Sequence, residues 1–96
     1  MKTYFTARIK WFNAKDGGRI KYPAMGARYC PILDIETKEK WSIDFICPDF
    51  EETNIIYFSF LVDGAPIDRI ELGKKYYLYE GDRRVAMIVV ENDDEI

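Results

Sequence analysis

Few residues in this 96-residue chain have types and spacings suited to catalysis. Carboxylates come closest, with Asp49, Glu51 and Glu52 crowded into one short segment after Pro48. Acid/base work by a carboxylate pair needs one member whose pKa burial has raised. A proline-started acidic segment predicts a solvated loop instead. Asp93, Asp94 and Glu95 could hold a cation weakly, but residues 92–96 read as a solvated acidic tail. The chain has no histidine, and Cys30 and Cys47 are its two cysteines, without a Cys-x-x-Cys pair, so no zinc set can be assembled. Each cysteine lies in an apolar run, which predicts buried, reduced thiols, with a disulfide or redox role as the alternative. No Gly-x-x-x-x-Gly-Lys-Ser/Thr loop is present to cradle phosphates, which argues against nucleotide hydrolysis. The expectation is a protein that is not an enzyme and that carries no metal or cofactor.

What remains is binding chemistry. Arg19, Arg28, Arg83 and Arg84, with Tyr29, are the anchors that a desolvated protein interface favours. The plainer alternative is a solvated turn with ion pairs to Glu80 and Asp82, worth less than about 1 kcal/mol each. Tyr76, Tyr77 and Tyr79 with Trp11 could stack on a ligand, although aromatics at alternating strand positions more often pack in a core. Charge is uneven. Residues 1–40 hold nine Lys/Arg against four Asp/Glu, and residues 41–96 hold five against thirteen, within a net charge of −3. A basic N-terminal half suits a phosphate backbone, but the acidic remainder must pack close to it, so nucleic acid is the second choice of partner. A protein partner is the first.

These side chains must be positioned by strands. Apolar residues make up 48% of the chain and aromatics 16%, too much for disorder. Phe5, Ala7, Ile9 and Trp11 alternate with Thr6, Arg8 and Lys10, the period of a half-buried strand. Gly17-Gly18 then supplies a turn needing positive φ. Arg28–Asp34 is a second extended run, with Pro31 marking an edge or bulge because proline cannot donate to a ladder. In Lys40–Cys47, Trp41, Ile43, Phe45 and Cys47 face inward. Ile55–Val62 is apolar on both faces, which predicts cover on both sides. A short helical turn is expected over Asp68–Leu72, and Lys75–Glu80 with Arg83–Glu91 reads as a hairpin around Gly81-Asp82. The expected core is Phe5, Ile9, Trp11, Trp41, Ile43, Phe45, Phe58, Leu78, Val85 and Val89. The fold class is therefore all-β, a small antiparallel barrel of six or seven strands forming one domain over residues 1–91. No apolar run approaches the ~18 residues of a membrane span. No signal-peptide stretch follows Lys2, so a cytoplasmic protein is expected.

Two resemblances bear on this reading. Lys10-Trp11-Phe12-Asn13 looks like the opening of the cold-shock signature, a barrel that stacks single-stranded bases on exposed aromatics. In this chain Asp16 stands for that family's lysine, Gly18 and Ile20 for its two aromatics, and Arg19 for a glycine. The second resemblance covers more of the chain. Asp16-Gly17-Gly18-Arg19, Pro23, Gly26-Ala27-Arg28-Tyr29-Cys30-Pro31 and Glu80-Gly81-Asp82-Arg83-Arg84-Val85 occur in that order. They are similar to the Glu-Gly-Gly-Arg, Pro, Gly-Tyr-Arg-Pro and Arg-Glu-Gly-Gly-Arg-Thr-Val segments of the C-terminal, third barrel domain of elongation factor Tu. That resemblance implies a free-standing β-barrel of the translation-factor type acting by contact with a partner. It places Glu80 and Gly81 at positions that touch the tRNA T stem in the family, while Asp82 replaces the second glycine of the closing motif. The partner-binding set expected on these grounds is Arg19, Arg28, Tyr29, Glu80, Gly81, Arg83 and Arg84, with Gly17 and Gly18 as the structural turn.

Overall fold

The computed structural model describes residues 4–12, 23–36 and 39–93. Among these residues seven strands form: β1 Phe5–Trp11, β2 Arg28–Tyr29, β3 Ile32–Glu36, β4 Glu39–Ile46, β5 Ile55–Phe60, β6 Lys75–Glu80 and β7 Arg83–Asp93. A 3-10 turn over Ile67–Arg69 starts one residue and ends three residues before the turn that the sequence predicts, and no α-helix occurs among the described residues. Every pairing is antiparallel. Neighbours follow the order β4-β3-β6-β7-β1-β5, and β5 returns to β4, so six strands close a barrel. The all-β barrel expected from the sequence is the fold observed.

The extra strand β2 has a simple origin. Arg28 pairs with Ile46 and Tyr29 with Phe45, the same register in which Ile32 and Leu33 meet Ser42 and Trp41. Thus β2 and β3 are one strand along β4, interrupted at Cys30-Pro31. The Pro31 carbonyl accepts from Ile43 N–H at 3.1 Å, but the ring nitrogen has nothing to return.

The core is a cluster that includes Phe5, Ala7, Ile9, Leu33, Ile43, Phe45, Ile56, Phe58, Phe60, Tyr76, Leu78, Val85, Ile88 and Val90. Three expected core residues differ. Trp11 and Trp41 are half-buried and pack against the cluster from its margin. Val89 is half-exposed because β7 carries a bulge: Leu78 pairs with Ala86 but Tyr79 with Arg84, leaving Val85 without an opposite residue. One extra residue shifts the alternation, so that Val85 points inward and then Ala86, Ile88 and Val90 do. Neither cysteine forms a disulfide; Cys47 is buried and Cys30 exposed, the second because of the strand break beside Pro31. The Gly17-Gly18 turn lies outside the described residues. Strand β7 runs through Asn92 and Asp93, so the ladder reaches two residues into the acidic stretch read as a tail.

The β6–β7 turn is the hairpin that the sequence predicts. Glu80 pairs with Arg83, leaving the two-residue loop Gly81-Asp82. Gly81 has φ of 62°, and no described non-glycine residue has positive φ, so the loop is of the type II′ sense. A Cβ on Gly81 would meet nothing within 4 Å. Gly81→Ala should therefore cost only the left-handed backbone term, about 1 kcal/mol, read as a lowered urea midpoint at unchanged slope. A neutral result would show that the loop relaxes to another turn.

Candidate functional site

The expected binding residues do not form one cluster. Tyr29 on β2 donates its hydroxyl to the Glu80 carboxylate, and Arg83 lies 3.6 Å from the same carboxylate, so three of them meet at the β6–β7 turn. Tyr29 also packs against Trp11 and Phe45, with ring centroids 5.7 and 5.4 Å away. Arg28 points elsewhere, to Asp44 of β4, donating from Nε and Nη2 at 3.1 and 2.9 Å. The Asp44 hydrogen bond holds its pKa above the ordinary arginine value. Arg84 turns to the outer face of β6, where Nε and Nη2 donate to the Tyr79 hydroxyl at 3.1 and 3.0 Å. Arg19 lies outside the described residues.

The outer face of β6 and β7 joins aromatics and cations in a way that the sequence reading did not draw. Arg84 covers the Tyr77 ring at 4.0 Å, and Lys40 lies 5.2 Å from the Tyr79 centroid. Phe12 is 6.2 Å from Tyr77. Such a face could meet nucleic acid, but base stacking needs an open ring, and here cations already occupy the ring faces. Tyr76 faces the core instead. It is buried, and its hydroxyl accepts from Glu71 N–H at 2.9 Å.

A cleft opens at the seam between β4 and β5. Those strands pair at Ile43–Phe60 and Asp44–Ser59, and Leu61 N–H donates to the Ser42 carbonyl at 3.0 Å. The same register would next set Phe45 opposite Phe58 and Ile46 opposite Tyr57, yet pairing stops at Asp44. Past that point each strand is held from its other side. Strand β4 lies on β2, and β5 lies on β1 through Phe5–Phe58, Thr6–Tyr57, Ala7–Ile56 and Arg8–Ile55. The strands splay and leave a cleft of about 540 Å³, lined by Tyr4, Asp44, Phe45, Ile46, Pro48, Thr53, Ile55, Ile56 and Tyr57.

Neither a protein-family model nor a curated protein matches this chain. The site must therefore be argued from its own geometry. In an antiparallel ladder the N–H and C=O of alternate residues point to the same side. Ile43 and Cys47 donate toward Pro31 and Ala27, so the groups of Ser42, Asp44 and Ile46 point to β5. On β5, the Asn54 carbonyl accepts from Ile9 of β1, so Ile55, Tyr57 and Ser59 point to β4. Ile46 and Tyr57 thus direct backbone groups into the cleft at the place where the ladder fails. Their side chains are 61% and 56% exposed and Tyr4 is 42% exposed, large apolar groups gathered on one cleft.

Ser59 sits at the apex, buried, its hydroxyl donating to Asp44 Oδ1 at 3.0 Å. The far end is closed by the loop over residues 47–54, pinned by Phe50, whose ring stacks edge-on against Trp11 at 5.5 Å. Glu51 and Glu52 on that loop are exposed and make no ion pair among the described residues. Asp49 Oδ1 accepts from Glu51 N–H at 3.0 Å, which organises the loop internally. This cleft was not found by reading the sequence. Its signal was Tyr57 and Ile46, apolar residues on the outward side of otherwise alternating strands. The two-sided apolar character of Ile55–Val62 predicts cover that Tyr57 lacks. Among the described residues no His/Cys/Asp/Glu cluster could hold a metal ion, and no helix is long and apolar enough to cross a membrane.

Proposed function

We propose that this chain acts as a non-catalytic protein-interaction module, a barrel comparable to the C-terminal domain of elongation factor Tu, and that it docks its partner at the β4–β5 seam. One observation carries the reading: Ile46 and Tyr57 fail to pair, and they direct both apolar side chains and backbone groups into a 540 Å³ cleft. Apolar area of this kind suits a macromolecular contact with a desolvated centre. The expected arginines take a smaller part. Arg28 flanks the seam through Asp44, whereas Tyr29, Glu80 and Arg83 satisfy one another at the turn.

A second reading, single-strand nucleic-acid binding, draws on the Arg84, Tyr77, Tyr79 and Lys40 face. A photo-crosslinking amino acid placed at Tyr57, at Tyr77 and, as an exposed apolar control, at Val62 separates the two in the native cell. Protein adducts at Tyr57, in excess of those at Val62, are the expected result. Nucleic-acid adducts at Tyr77 without protein adducts at Tyr57 would replace the proposal by the second reading.

A further inference from the structure

We infer that the seam takes its partner by strand addition, accepting one extended segment that carries basic residues between apolar ones. This inference rests on the docking role proposed for the seam and specifies how it is used. Three observations carry it together. The first is the broken ladder. Tyr57 and Ile46 each present an N–H and a C=O toward the cleft, and an incoming strand can bond to them as the missing ladder partner would. Ile55 presents a C=O to the same side, while its N–H is already held by Thr53 Oγ1 at 3.1 Å. The hydrogen-bonding groups are therefore few: Ile46 on β4, and Tyr57 with the Ile55 carbonyl on β5.

The second observation is the outer surface of the cleft. Ile46, Tyr57 and Tyr4 are exposed there, so the apolar side chains of an alternating segment find apolar contact on one face. The third is charge. Asp44 is already engaged by Arg28, but Asp49, Glu51 and Glu52 stand on the loop whose two ends, Pro48 and Thr53, line the cleft. Arg8, the nearest cation on β1, is spent on Glu91 and Asn54. The lip is thus net acidic, which favours Lys or Arg on the alternate positions of the segment and repels an acidic one. A phosphate backbone is disfavoured by the same lip, which makes a polypeptide the occupant.

The test uses the full chain, nitrogen-15 labelled, with three capped heptapeptides: alternating Lys/Val, alternating Glu/Val, and the Lys/Val peptide N-methylated at its central valine. The Lys/Val peptide should bind at least about tenfold tighter than the Glu/Val peptide. It should shift the Ile46 and Tyr57 amides, and it should slow their hydrogen exchange by about tenfold at saturation. N-methylation should weaken binding by a similar factor, because it removes a ladder donor without changing charge. Charge reversal at the lip, with Glu51→Lys and Glu52→Lys together, should invert the peptide preference; both residues are exposed, so the fold is retained.

Equal binding of the basic and acidic peptides overturns the inference, as does binding insensitive to N-methylation. Shifts confined to the Tyr77–Arg84 face overturn it as well. Protection of Ile46 and Tyr57 without any peptide, with a concentration-dependent dimer in sedimentation, would give the seam to a second copy of the chain instead. Crosslinking at Tyr57 distinguishes the two levels of the argument: protein adducts there with no peptide preference leave the docking role intact and remove strand addition.

Discussion

Phe58→Ala is expected to destabilise the protein by about 3–5 kcal/mol, the range for emptying a large buried aromatic site. The ring has no solvent exposure. It stacks on Phe5 at 5.3 Å and meets Phe60 edge-on at 6.5 Å, so its removal strips contacts from two further rings. Phe5 belongs to β1 and Phe58 to β5, and they face each other in register, which makes the loss one of ladder packing as well as volume. Native domains are stable by only about 5–15 kcal/mol, so this variant should unfold at a far lower urea concentration with the slope unchanged. The sequence reading places Trp11 and Trp41 in the same core. Both indoles are half-buried at the core margin, and each should cost less than Phe58→Ala. A ranking with either tryptophan above Phe58 would place the centre of the core elsewhere.

Asp44→Ala should cost about 2 kcal/mol, more than a surface carboxylate normally carries. The reason is Ser59, whose hydroxyl is buried and donates to Asp44 Oδ1. Without that acceptor a buried polar group is left unsatisfied at the point where the seam opens. The Arg28 bond to the same carboxylate adds little, because its guanidinium side chain is 61% exposed. Asp44→Asn keeps a carbonyl oxygen and should cost less than about 1 kcal/mol. In a double-mutant cycle with Ser59→Ala the coupling should approach 1 kcal/mol. Strict additivity would show that the hydrogen bond does not hold the apex.

The alternation of Phe5, Ala7 and Ile9, and the Gly81-Asp82 hairpin, were legible because each is a local signal: period two in the first case, two-residue turn chemistry in the second. Pro31 was legible for the same reason, and its missing N–H does break a strand. Val89 was misplaced because a one-residue bulge at Val85 leaves no mark in composition, yet it moves the inward positions that follow to Ala86, Ile88 and Val90. The expected site was legible only in part. Glu80 and Arg83 are near neighbours in sequence and meet as expected, and Tyr29 reaches them through β2. The seam cleft depends on where two strands stop pairing, and that is set by their other neighbours, β2 and β1. No stretch of sequence holds that information alone.

Strand β1 pairs with Ile55–Phe58 on one side and with Ala86–Asp93 on the other, so it precedes one partner by about half of the chain and the other by most of it. The β3–β4 and β6–β7 pairs, by contrast, join segments separated by a few residues and can form as soon as they are synthesised. Closing a loop of fifty or eighty residues costs more entropy than closing a hairpin, and topology of this kind slows folding. During translation, then, one edge of β1 waits for β5, and its other edge stays open until β7 has left the ribosome. A chain interrupted before β7 keeps that strand as an open template, which is where aggregation or chaperone capture would begin.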